Sequence, residues 1–338
     1  MAHGSGSQRK MPNGWAMLSW LLAAALLLSG CAGTQTNKVY RVGILSGLNY
    51  IGDTADGFRA RMSELGYVEG ENITYDIQRT DFDMAVYQSI AEKFVADEVD
   101  LILVFPTEAS IVAKTVAEGS GVPVLFTYAI IEDMGLVESL RSPGGNITGV
   151  RYPSGDIALK RLEMLLDIAP QVKRIYMPYQ RGYPIVPGQL EVLHPAAEAA
   201  GVTLIEAPAD NAAELQSLLD AQPAEGGFDA ILMLVEPLLV GPDAYLVIAS
   251  YAYEHDIPIG GTYVVAGDLK TIFSVGVNSY DAGTLAAPLA DKILQGTQAG
   301  SIPVASSEPY IEIDISTAQH FGLIVPEGLL RQANRIIR

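Results

Sequence analysis

The chain has 338 residues, with 39 Asp and Glu against 21 Lys and Arg, a formal net charge of −18. Such a balance repels phosphate backbones and anionic headgroups, which makes nucleic acid a poor partner and a bare lipid surface a poor dock. A hydrophobic content of 49 % excludes disorder for most of the chain, and one cysteine, Cys31, excludes an intramolecular disulfide, a catalytic Cys–His pair and a thiolate metal site.

Arg9 and Lys10 open the chain's first segment, and residues 15–28 follow without a charge. Fourteen residues span about 21 Å as a helix, whereas a membrane crossing needs about twenty residues. Residues 1–30 therefore read as a secretory signal. They end on Leu28-Ser29-Gly30-Cys31, which resembles the bacterial lipobox, with cleavage before Cys31 and lipid on its sulfur. The alternative is an ordinary signal peptide with a cysteine nearby. The lipobox reading puts the mature chain outside the cytoplasm, lipid-anchored on the outer side of the cytoplasmic membrane or in the periplasm. The small, polar residues 31–37 read as a tether.

Regular structure is then expected at once. Residues 39–45 pattern as a strand, 53–65 as a helix stopped by Gly66, and 72–78 as an alternating edge strand. A helix over 84–96, an apolar strand over 101–105, a helix over 107–117 and a strand over 122–126 follow. Strands apolar throughout, alternating with amphipathic helices, indicate a parallel sheet covered on both faces. The rhythm restarts with strands at 173–177, 202–205, 229–235, 257–260 and 271–277 and helices at 188–200, 211–221 and 242–255. Two βα series in about 300 residues imply two similar lobes, with the first passage between them near Gly149-Val150-Arg151-Tyr152-Pro153.

Gly57-Phe58 and the stretch from Glu64 to Asn72 (ELGYVEGEN) are similar to the opening of the ABC-transporter substrate-binding family that includes tryptophan and tyrosine uptake proteins. Gly135-Leu136-Val137, the stretch from Pro143 to Gly149, the stretch from Lys292 to Gly296 and the stretch from Phe321 to Pro326 continue the resemblance in the family's order. What it implies is an α/β fold of two Rossmann-like lobes with parallel sheets joined by three crossovers, the type I periplasmic binding protein fold, closing on a ligand. The expected limits are 38–150 plus 279–305 for lobe I and 151–278 plus 306–338 for lobe II. No catalytic residue and no cofactor come with the resemblance. Expected partners are a small molecule, ABC permease subunits or a membrane sensor, and the lipid anchor, on a monomeric chain.

In open α/β sheets ligands lie beyond the carboxyl ends of strands, where helix N-termini offer free N–H groups. On that ground Thr107 and Ser110, matching the family's Gly-Thr-x-Ala-Thr, are candidates for a ligand carboxylate; Pro106 replaces the glycine. The other reading of Thr107 is a helix N-cap. Tyr128 is a stacking or hydrogen-bonding candidate, or a packing tyrosine; Asn49 and Tyr50 follow the first strand on the same grounds. In the second lobe Tyr179 and Arg181 cluster after a strand. Arg181 either pairs with an acidic ligand group or is a solvated rim residue. Glu236 either meets an ammonium or serves as a turn residue before Pro237. Tyr263 and Asn278, where the family commonly has Asp, complete the set.

An enzyme is disfavoured: the sequence has no Gly-x-Ser-x-Gly elbow, no Gly-x-Gly-x-x-Gly fingerprint and no P-loop. The expected role is capture of a small molecule, an aromatic amino acid or related compound, and its delivery to an ABC importer. A sensory binding protein reporting to a membrane receptor such as a histidine kinase is the alternative.

Overall fold

A computed structural model describes residues 1–4, 6, 38–223, 227–262 and 265–338. Cys31 and most of the expected signal segment lie outside these residues, as does Tyr263. The chain divides into two units, Met1–Val39 and Tyr40–Arg338, and all regular structure among the described residues belongs to the second. None of the described helices is long and apolar enough to cross a membrane.

The first run of elements is β1 (Tyr40–Ser46), α1 (Thr54–Glu64), β2 (Ile73–Arg79), α2 (Met84–Ala96), β3 (Leu101–Phe105), α3 (Thr107–Ala117), β4 (Val124–Ala129) and β5 (Ile147–Arg151). The chain crosses over and builds α4 (Ser154–Ile168), β6 (Arg174–Gln180), α5 (Val186–Ala200), β7 (Thr203–Ala209), α6 (Ala212–Asp220) and β8 (Ala230–Leu232). It continues with α7 (Pro237–Val240), α8 (Pro242–Glu254), β9 (Ile259–Gly261), the hairpin of β10 (Val265–Ala266) and β11 (Leu269–Lys270), and β12 (Phe273–Gly276). It returns for α9 (Ser279–Leu294) and β13 (Ala305–Ser306), then crosses again for β14 (Tyr310–Asp314), α10 (Ile315–His320), α11 (Glu327–Leu330) and β15 (Arg335–Ile337).

Among the described residues two large sheets result beside the β10–β11 hairpin, ordered β13-β5-β4-β3-β1-β2 and β15-β14-β12-β9-β8-β6-β7. The first is parallel throughout. The second is parallel except where β12 meets β14. Three crossovers join them, as the family resemblance implies. Every residue of β3 is buried, which is what a central strand between two helical layers requires. The edge strand β2 alternates and is only partly covered.

Local chemistry places the helix ends. Asp83 Oδ1 caps α2 by accepting from the Ala85 and Val86 N–H groups at 3.0 and 3.1 Å, and Gly201 closes α5 in the left-handed region at φ +68°. Helix α9 leaves its own neighbours in sequence to pack on α1, and two glycines make that crossing tight. A Cβ at Gly57 would stand 2.0 Å from the Tyr280 carbonyl oxygen, and one at Gly283 would stand 2.0 Å from that of Thr54. Phe58, Met62, Ala286, Ala287 and Ala290 fill the same core.

Several expected boundaries shift. Strand β6 runs on to Gln180, so Tyr179 is a strand residue and not a loop residue; all seven residues pair in register with β7. Strand β8 stops at Leu232 instead of continuing to 235. The sequence reading also omitted β5, α4 and α9, all three beside the crossovers.

Candidate ligand-binding cleft

A cavity of about 270 Å³ opens where the carboxyl ends of both sheets meet. Its wall is drawn from the segments that follow strands: Leu48 and Tyr50 after β1, Asp81 and Phe82 after β2, and Pro106, Thr107 and Glu108 after β3. Tyr128 and Ile130 come from the end of β4, Tyr152 follows β5, Tyr183 and Ile185 follow β6, and Val235, Glu236, Pro237, Val240 and Gly241 follow β8. This is the place where α/β sheets hold ligands.

Tyr128 reaches the cavity through a break in regular pairing. The β4–β5 register shifts between Phe126 and Ala129, and Tyr128 sits at φ +52°, a left-handed conformation that costs a bulky residue of order 1–3 kcal/mol. A bulge re-aims the side chain it carries. Thr127 beside it is buried and donates to the Ala282 carbonyl at 3.0 Å, so the bulge is tied to α9. The Tyr128 ring lies 5.4 Å from that of Tyr152, tilted by 59°. Burial pushes both hydroxyls above their ordinary pKa, so both are neutral donors at physiological pH.

Behind Tyr152 lies Arg161 of α4, 1 % exposed. Its Nε and Nη2 donate to the Val275 carbonyl at 2.8 and 2.6 Å, and Nη2 also meets the Tyr152 hydroxyl at 3.3 Å. Burial pulls its pKa down from the ordinary value, the direction opposite to what a carboxylate partner would cause. Arg161 does not itself line the cavity.

In the segment after β8, Glu236 is 2 % exposed. Its Oε2 and Oε1 accept from the N–H groups of Leu238 and Leu239 at 2.7 and 3.1 Å, capping the short α7. Burial outweighs these bonds and pushes the carboxyl up to about 7. Glu108, in the first turn of α3, accepts a hydrogen bond from the Tyr183 hydroxyl. That bond spans the cleft, since Glu108 follows a strand of one sheet and Tyr183 a strand of the other.

Of the ten residues singled out as ligand candidates, Tyr50, Thr107, Tyr128 and Glu236 line the cavity. The Thr107 hydroxyl accepts from the Ile130 N–H at 2.9 Å, and Pro106 holds the N-cap position of α3 without a side-chain cap bond. Thr107 therefore does not cap; it ties α3 to the segment after β4. Ser110 is fully buried and donates back to the Pro106 carbonyl at 2.7 Å. The other candidates among the described residues are engaged elsewhere. Asn49 is exposed, and its backbone N–H donates to Asp81 Oδ1 at 3.2 Å. The Tyr179 hydroxyl donates to Glu206. Arg181 pairs with Asp210 at 3.0 Å and with Glu214, as a solvated rim residue does. Asn278 Oδ1 caps α9 by accepting from the Asp281 N–H at 3.0 Å. Sequence reasoning singled out none of Glu108, Tyr152 and Tyr183, although Glu108 lies in the expected helix over 107–117, Tyr152 in the passage from Gly149 to Pro153, and Tyr183 two residues beyond Arg181.

The model of the family described as ABC transporter substrate binding protein matches residues 48–337. A relative from Clostridioides difficile (strain R20291), named tyrosine-binding protein, is 27 % identical over 310 residues, covering 86 % of this chain and 87 % of its own. Among solved structures, a Streptococcus pneumonia ABC domain in complex with L-Trp superposes with a TM-score of 0.74 at 21 % identity, over 89 % of this chain and 100 % of the other. The ligand-free, open form of a Clostridium difficile substrate-binding protein with adhesive properties gives 0.73 at 25 % identity, over 88 % and 99 %.

Proposed function

The chain belongs to the ABC transporter substrate-binding protein family, and from that premise we propose that it captures an aromatic amino acid or a related small molecule between its lobes and delivers it to an ABC importer. The observation that carries the reading is the cavity itself. It is lined by Tyr50, Tyr128, Tyr152 and Tyr183, with aliphatic contacts from Ile130, Ile185, Val235 and Val240. Its volume, about 270 Å³, falls just under the usual range for drug-sized ligands and suits a metabolite of amino-acid size. Flat rings stack on such walls. The tyrosine-binding relative supports the ligand class.

In this reading Tyr50, Thr107, Tyr128 and Glu236 belong to the binding wall, joined by Glu108, Tyr152 and Tyr183. The lobe limits 38–150 plus 279–305 and 151–278 plus 306–338 belong to the same proposal, supported by the sheet that each strand joins. Cys31 carries the lipid that holds the exported chain at the membrane; Cys31→Ser should release a folded chain into the soluble fraction. Neither the fold nor the relatives favour the sensing alternative.

A thermal-shift screen of aromatic amino acids and related compounds tests the capture. A true ligand at a hundred times its Kd adds ~2.7 kcal/mol of stability, a rise in Tm of several degrees. A screen in which no aromatic compound raises Tm at millimolar concentration would remove the reading.

A further inference from the structure

The cavity wall carries charge of one sign. Asp81, Glu108 and Glu236 line it, and among the described residues no lysine, arginine or histidine does. The partners of these three carboxylates are neutral: the Asn49 N–H for Asp81, the Tyr183 hydroxyl for Glu108, and the Leu238 and Leu239 N–H groups for Glu236. Among the described residues none of the three forms an ion pair. A carboxylate as buried as that of Glu236 is costly to ionise until a cation arrives.

The rest of the wall favours the same charge. Tyr50, Phe82, Tyr128, Tyr152 and Tyr183 surround the space, and the electron-rich faces of such rings attract ammonium groups. The N-terminus of α3, which would otherwise draw an anion, already has Glu108 in its first turn. The Arg161 guanidinium stands behind Tyr152 with its donors turned to the Val275 carbonyl. A ligand carboxylate therefore meets hydroxyl groups but no cation in the wall.

We propose that the charge this cavity recognises is an ammonium, held between the Glu108 and Glu236 carboxylates against the tyrosine faces, and that a carboxylate on the ligand is dispensable. The ligand class is then amine-bearing aromatic molecules, of which amino acids are one part. The inference rests on the capture of the ligand in this cavity.

Calorimetric titration of the purified full chain with L-tyrosine, tyramine and 3-(4-hydroxyphenyl)propionate separates the two ideas. Tyramine should bind within about ten-fold of tyrosine, and the deaminated acid at least ~30-fold more weakly than tyramine, the low end of the loss when one partner of a buried charge pair is removed. Glu236→Gln together with Glu108→Gln should bring the amine and the acid within a few-fold of each other. Glu108→Gln alone, at a half-exposed position, should narrow the gap even if the double variant folds poorly. An acid that binds within about three-fold of tyramine overturns the ammonium assignment while leaving capture intact, and so does tyramine weaker than tyrosine by ~100-fold or more, a loss of ~2.7 kcal/mol by the same conversion. Absence of binding by all three compounds removes the capture reading and the inference with it.

Discussion

Glu236 sets burial against charge at a single side chain. Its carboxyl is raised from an ordinary 4.5 to about 7, chiefly because it is removed from water. Between those two pH values the folded protein holds a proton that the unfolded chain has lost, so this group's contribution to stability falls as pH rises from about 4.5 to 7 and is level above that. Glu236→Gln removes the titration and retains an oxygen for capping α7. The variant should melt a few degrees above the parent at pH 8 and close to it at pH 4, measured by thermal unfolding in matched buffers. Tyr183 is the titratable group that feels the Glu236 charge, and burial keeps its hydroxyl neutral over that range. Affinity for an amine ligand should accordingly rise from pH 5.5 to 8, because the carboxylate form becomes available. An affinity flat over that interval would mean that Glu236 does not face the ligand's charge.

At the scale of elements, the α1–α9 crossing is the most constrained contact in the first lobe. Gly57 and Gly283 have no room for a methyl group, and the atoms they would meet are backbone oxygens, which cannot swing aside. Gly57→Ala should cost about 1–3 kcal/mol by overpacking, against the small gain alanine normally brings to a helix. Chemical denaturation would register it as a lower midpoint with an unchanged slope. An alanine variant as stable as the parent would show that the helices slide apart freely. Gly57-Phe58 stood out in the sequence as part of a family pattern, but its reason did not: the partner helix lies more than two hundred residues away. Strands β1, β3 and β4 were legible because their apolar runs report burial on both faces, and the edge strand β2 because its residues alternate. Helices α4 and α9 were not, since each follows a crossover, where no neighbouring strand frames the pattern. The bulge that turns Tyr128 inward was equally invisible, because it depends on how β4 pairs with β5. Arg181 and Asn278 both sit at sheet ends, as ligand contacts do. Asp210 and Glu214 hold Arg181 in the rim arrangement that was one of its two readings, and the first turn of α9 occupies Asn278.

For the whole molecule, two lobes meet over one cavity, and the Tyr183–Glu108 hydrogen bond joins them across it. A bond to a charged group contributes about 1.5–3 kcal/mol, enough to shift an open–closed equilibrium ten-fold or more. Tyr183→Phe keeps the ring and removes the bond. Its ligand-free form should have a larger radius of gyration by X-ray scattering than the parent, and saturating ligand should compact both. A variant as compact as the parent without ligand would show that other contacts hold the lobes together.

In the proposed function the small molecule is held in that cavity. Val240 lines it from the second lobe at a half-buried position, so Val240→Trp fills the space without entering the core of either sheet. Calorimetric titration of L-tyrosine into the parent should give one site per chain. Titration into Val240→Trp should show affinity lowered by ~100-fold or more at an unchanged melting temperature. Equal affinity in the two proteins would place the ligand elsewhere and contradict the account.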